Sequence, residues 1–174
     1  MKHRRTRFIP VACAACALTL AVVADAAADT RTSSVPNCRT AGLAIRLEKH
    51  GSGTAGSAFY MLAFTNASRR QCALRGYPGV SAVDRAGRRL GLPAARGTRT
   101  VARTIVLARG RTARAVLQVN DVDVFPATAC RPVRAAGLRV FPPNETVSKV
   151  IPLAFRACSR TARTFLHVDA VARS

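Results

Sequence analysis

Leu43-Ala-Ile-Arg-Leu-Glu48 is followed, after the glycine- and serine-bearing residues 51–57, by Ala58-Phe-Tyr-Met-Leu-Ala-Phe-Thr65. In the first stretch Leu43, Ile45 and Leu47 alternate with Ala44, Arg46 and Glu48, the period of a strand with one wet face. The second is apolar on both faces, as a central strand of a sandwich is. Two strands of unlike faces joined by a flexible loop make a hairpin. That hairpin sets the fold class expected for the rest of the chain.

Outward from it, period-two stretches recur at hairpin spacing. Gly76-Tyr77-Pro78-Gly79 has Pro and Gly at the corners of a type II turn. Val80–Val83 then reads as a strand, Asp84-Arg85-Ala86-Gly87 as a turn, and Arg88–Leu92 as the return. Residues 93–103 read as a loop. Thr104–Ala108 and Thr112–Val119, reversing at Arg109-Gly110, read as a second hairpin, with Ala113, Ala115, Leu117 and Val119 on one face. Further strands are expected at 137–141, 147–155 and 164–171, with at most a helical turn between Cys130 and Ala136. Pro152 marks an edge strand or a bulge, because proline cannot donate to a sheet ladder. About eight or nine short strands without an amphipathic helix give an all-β antiparallel sandwich.

The 174 residues suffice for one domain, and although 33 of them are Ala, the spread of Val, Leu, Ile and Phe excludes a disordered chain. The N-terminus carries Lys2, Arg4, Arg5 and Arg7, then an uncharged run from Phe8 to Ala24, then small residues. This is the pattern of a secretory signal peptide over residues 1–28, with a short exposed leader at 29–37 and a single domain at 38–174. Cys13 and Cys16 leave with the signal. Cys38, Cys72, Cys130 and Cys158 remain, an even set in an exported chain and so two disulfides. Four cysteines allow three pairings; the strand order favours Cys38 with Cys72 and Cys130 with Cys158, each pair bracketing an outgoing and a returning strand.

Several of these stretches together resemble a known family. Leu62-Ala-Phe-Thr-Asn66, Cys72-Ala-Leu-Arg-Gly-Tyr-Pro-Gly-Val-Ser81, Leu107-Ala-Arg-Gly110, Cys130-Arg-Pro132, Leu138-Arg-Val-Phe-Pro-Pro143 and Cys158 are similar to the exported actinobacterial proteins grouped as domain of unknown function 4232. The excess of Arg over Lys suits a GC-rich genome of that kind. The resemblance implies an immunoglobulin-like sandwich and transfers no catalytic residue, so the chain is expected not to be an enzyme.

Chemistry-bearing motifs are sparse. Gly51-x-Gly53-x-x-Gly56 matches a dinucleotide fingerprint in letters, but a strand follows where the fingerprint needs a helix, so no nucleotide cofactor is expected. No pair among Cys38, Cys72, Cys130 and Cys158 has zinc-site spacing, and Asn120-Asp121-Val122-Asp123 offers too few carboxylates to hold calcium alone, so no metal is expected. His167 and Asp169 share a strand face and His50 adjoins the glycine loop, the only footholds for a hydrolase-type alternative. A protease-inhibitor alternative would present an arginine of residues 93–103.

Charge is the outlier. Without residues 1–28 the chain has 24 basic and 7 acidic residues, a formal +17. Arg85, Arg88, Arg89, Arg96, Arg99, Arg103, Arg109, Arg111 and Arg114 fall in one span that holds no acid. Such a span attracts polyanions: an anionic envelope polymer, lipid headgroups, nucleic acid without sequence preference, or the acidic surface of another extracellular protein. The competing account is that arginines on wet strand faces merely keep the domain soluble and its edges blunt. Aromatics are absent from the span and Trp from the chain, which disfavours base stacking and sugar stacking.

Overall fold

The computed structural model describes residues 34–49, 56–160 and 164–173. A short 3-10 turn at Thr40–Gly42 opens into β1 (Leu43–Lys49), and β2 (Ser57–Asn66) returns beside it, paired from Leu43↔Asn66 to Lys49↔Tyr60. The hairpin read from the sequence is therefore present; most of its connecting loop, with Gly51, Gly53 and His50, lies outside the described residues.

Then come β3 (Cys72–Arg75), β4 (Gly79–Val83), β5 (Arg89–Leu90), β6 (Ala95–Arg96), β7 (Thr104–Leu107) and β8 (Thr112–Asn120). After the helical turn α1 (Ala127–Cys130) follow β9 (Pro132–Phe141), β10 (Lys149–Cys158), β11 (Leu166–Val168) and β12 (Ala172–Arg173). One sheet runs β1-β2-β8-β11-β6 with β12 also on β8, a second runs β10-β9-β4-β5, and β3 pairs with β7. The sandwich is all-β, as expected, and every ladder except β6–β11 is antiparallel.

The inward faces meet in one core. Leu62, Phe64, Ala113, Ala115 and Leu117 come from the large sheet, Val80, Leu138 and Val140 from the second, and Leu74, Ile105 and Leu107 from the third. Burying each large side chain contributes about 1.5–3 kcal/mol, so the shared core is what holds three ladders together. Two disulfides, Cys38–Cys72 and Cys130–Cys158, have Cα atoms 4.8 and 4.6 Å apart, in the pairing the strand order favoured. Among the described residues no helix is long and apolar enough to cross a membrane. The signal-peptide segment lies outside the described residues. Of the expected leader, Pro36 is bonded to the domain, since Ala73 N donates to Pro36 O; the next link, Cys38 N to Ala73 O, comes from the domain's first residue.

The structure departs from the sequence reading in several places, each with a physical cause. Thr104–Ala108 and Thr112–Val119 reverse at Arg109-Gly110, where Gly110 has φ 76°, but they do not pair. β2 already occupies the facing edge of β8, and Asn66 enters the turn, where its carbonyl accepts from Gly110 N and its amide donates to Arg111 O. β7 instead pairs with β3, and the two arms diverge into different sheets. At residues 76–79 the positive φ belongs to Gly76, while Gly79 already lies in β4 opposite Phe141. The expected loop 93–103 contains β6, and of the expected strand 164–171 only β11 is strand, with β12 following just beyond it. Residues 132–136 are strand because β10 pairs with them, which their Ala-rich pattern did not signal. Pro152 does lie in an edge strand, with a register shift between it and Phe155.

Candidate functional site

The divergence of β7 from β8 opens a cleft. Two adjoining hollows of about 430 and 600 Å3 share Ile105 and Arg173. Arg111, Arg114 and Arg173 line the first; Arg99, Arg103 and Arg173 line the second. Local structure puts each there. Arg111 leaves the Gly110 turn, Arg114 is on the outer face of β8, and Arg173 is on β12 beside it, opposite Ala113. Arg99 and Arg103 come from the segment leading into β7.

Arg99 is fixed by its surroundings. Its Nε donates to Asp169 Oδ2 at 3.1 Å, its Nη2 to Gln118 Oε1 at 3.1 Å, and its guanidinium lies 5.2 Å from the centre of the Phe59 ring. Asp169 is 1% exposed and its Oδ1 has no hydrogen-bond partner among the described residues. Gly97 leaves room for that carboxylate: a Cβ there would fall 1.9 Å from Oδ1. Arg114 donates to Glu48 at 3.2 Å. Arg103, Arg111 and Arg173 have no acidic partner among the described residues. The cleft therefore holds five guanidinium groups against two carboxylates, a field that concentrates anions.

The nine arginines singled out in the sequence are not one patch. Arg99, Arg103, Arg111 and Arg114 line the cleft, and Arg109 is exposed at the turn beside it. Arg96 lies 5.3 Å from the centre of the Tyr77 ring. Arg85, Arg88 and Arg89 are at the β4–β5 turn, where Asp84 accepts from Arg88 Nε at 2.8 Å. That bond, and the Arg88 amide on the same carboxylate, hold Asp84 below its ordinary pKa. Arg173 was missed because it stands alone in sequence; only pairing of β12 with β8 brings it to the others. A further basic hollow of about 650 Å3 includes Arg39, Arg69 and Arg70, but Glu145 shares it. Two hydrogen bonds from Thr40, led by its backbone N–H at 2.9 Å, hold Glu145 below its ordinary pKa.

The other candidate chemistry is engaged elsewhere. Asp169 is committed to Arg99, and no hydroxyl or carboxylate of the described residues hydrogen-bonds His167. Asp121 Oδ1 accepts from Asp123 N, and Asp123 Oδ1 accepts from Arg156. Among the described residues no group of three or more His, Cys, Asp or Glu is placed to hold a metal. Gly56, with φ 84°, leads into β2 rather than a helix; Gly51 and Gly53 lie outside the described residues.

These features define an all-β sandwich with two disulfides and an arginine-lined cleft between its sheets. The chain belongs to the family described as Domain of unknown function (DUF4232), whose model matches residues 38–172. No curated protein and no solved structure matches it.

Proposed function

We propose that this is an exported, noncatalytic binding module whose cleft takes an anionic ligand outside the cytoplasm, either a negatively charged envelope polymer or an acidic stretch of another extracellular protein. The observation that carries this reading is the convergence of Arg99, Arg103, Arg111, Arg114 and Arg173 on two joined hollows with three of the five lacking an acidic partner among the described residues. Solubility alone gives no reason for arginines from separate segments to share a concavity. The two disulfides support an oxidising compartment, and so does the signal-like N-terminus.

The alternatives have less support. A hydrolase would need His167 near a nucleophile and an orienting carboxylate, and Asp169 is used by Arg99. An inhibitor would project an arginine from 93–103, yet Arg96 and Arg99 lie down on Tyr77 and Phe59.

Retention of the processed protein on immobilised polyphosphate, measured against salt, tests the reading. Strong retention at low ionic strength that falls steeply as salt rises is expected. Absence of retention at low salt, or retention indifferent to salt, contradicts it.

A further inference from the structure

The wall of the cleft is itself a strand edge. Among the described residues β7 pairs only with β3, and β12 only with β8. Ala73 directs both its N–H and its C=O to Pro36–Cys38, away from β7. Backbone groups alternate sides along a strand, so Cys72 and Leu74 face β7, and Leu107 and Ile105 face back. Val106, opposite Ala73, therefore turns its N–H and C=O away from β3, toward the cleft. Val106 is 41% exposed, and Val101, which lines the same cleft, is 74% exposed. An unpaired edge of this kind is a template for another strand, and proteins that do not use one usually block it.

We infer that the cleft binds its ligand by strand addition: an extended acidic peptide segment of another protein pairs with β7 at Val106 while its carboxylates meet Arg103, Arg111 and Arg173. This rests on the reading of the cleft as an anion site and names the ligand class. Charge complementarity selects the occupant. A second copy of this chain would bring another formal +17 to the same edge, and like charges oppose that pairing. A phosphate polymer satisfies the arginines but has no amide to match Val106 N–H and C=O. An extended peptide with acidic residues satisfies both, and its alternate apolar side chains can cover Val101 and Val106.

The test uses a ten-residue peptide alternating Glu and Val, the same peptide N-methylated at every internal amide, and polyphosphate, each titrated into the processed protein with amide exchange followed at Val106. The unmodified peptide is expected to bind and to slow Val106 exchange by about tenfold or more at saturation, and N-methylation to weaken binding by about tenfold or more. Polyphosphate is expected to bind without slowing Val106 exchange. Equal binding of both peptides, unchanged Val106 exchange on peptide binding, or binding of polyphosphate alone overturns strand addition and leaves the anion site standing. Failure of polyphosphate to bind at low salt overturns the anion site and this inference with it. Because ligand chemistry is varied against the unaltered protein, no outcome depends on whether a variant folds.

Discussion

β7 and β10 are both edge strands, and they are treated in opposite ways. β10 carries Pro152, which has no N–H to offer, a register shift between Pro152 and Phe155, and Lys149, whose Nζ donates to Leu43 O. Each is a recognised way of blunting an edge. β7 has no proline and no register shift against β3. Charged neighbours gather at a distance across its cleft rather than on the strand itself, whose four residues are Thr104, Ile105, Val106 and Leu107. The same chain thus protects one edge and leaves the other open among arginines. General solubility explains the first; the proposed ligand accounts for the second.

The two disulfides allow that comparison to be broken one side at a time. Cys38–Cys72 fastens Pro36–Cys38 to β3, the only ladder partner of β7 among the described residues, whereas Cys130–Cys158 fastens the end of α1, just before β9, to the end of β10, which β9 already pairs. With sequence separations of 34 and 28, each should contribute about 3–4 kcal/mol by the chain-entropy account. Replacing either pair by Ala should lower urea stability by about that amount. Only the Cys38→Ala/Cys72→Ala variant should also speed amide exchange in β3 and β7; faster exchange there in both variants would show that the two edges are not independently secured.

The next effect concerns the cleft wall. Gly97→Ala places a methyl group where Asp169 Oδ1 lies and should cost about 1–3 kcal/mol as overpacking while freeing Arg99 from its carboxylate. Unchanged thermal stability would mean that Asp169 moves aside without consequence, and the account of Arg99 as a fixed group would fail.

How much of this was legible in sequence depended on whether the deciding contacts were local. The β1–β2 hairpin followed from alternation at Leu43, Ile45 and Leu47, and the disulfides from an even cysteine count and strand order. The reversal at Arg109-Gly110 was also legible, since a glycine with positive φ is local chemistry. Which strand each arm then paired with was not. That choice is made by Asn66 and β2, more than forty residues earlier in the chain, and it is the choice that opens the cleft. Arg173 was illegible for the same reason: nothing near it in sequence announces that β12 pairs with β8. Of the nine arginines named from local density, the fold brings four into the cleft and sends Arg85, Arg88 and Arg89 elsewhere.

Binding should show that partition. Arg111→Ser and Arg173→Ser should each reduce the slope of log affinity for polyphosphate against log salt by roughly 0.7–0.9 if the polymer behaves as nucleic acid does. Arg85→Ser and Arg89→Ser at the β4–β5 turn should leave the slope nearly unchanged. Equal reductions at both places would point to diffuse attraction instead of a site.

The smallest effect lies at the far hollow. Glu145 has its pKa lowered in the folded protein by the Thr40 backbone N–H and hydroxyl, so the stability it adds is present above the unfolded-state pKa and is lost as pH falls through the folded one. Glu145→Gln should therefore flatten the acid limb of the stability curve below roughly pH 4, with little change at neutral pH in the salt dependence of polyphosphate binding. An unaltered acid limb would remove Glu145 from the acid response.

The claim that the open cleft is the binding site is tested most directly by following the arginine Nε–H signals of residues 29–174 by NMR during titration with polyphosphate at low salt. The account predicts that Arg103, Arg111 and Arg173 shift first and furthest, with Arg99 following, while Arg85, Arg88 and Arg89 barely move. Shifts spread evenly over all exposed arginines, or centred on Arg39, Arg69 and Arg70, would contradict it.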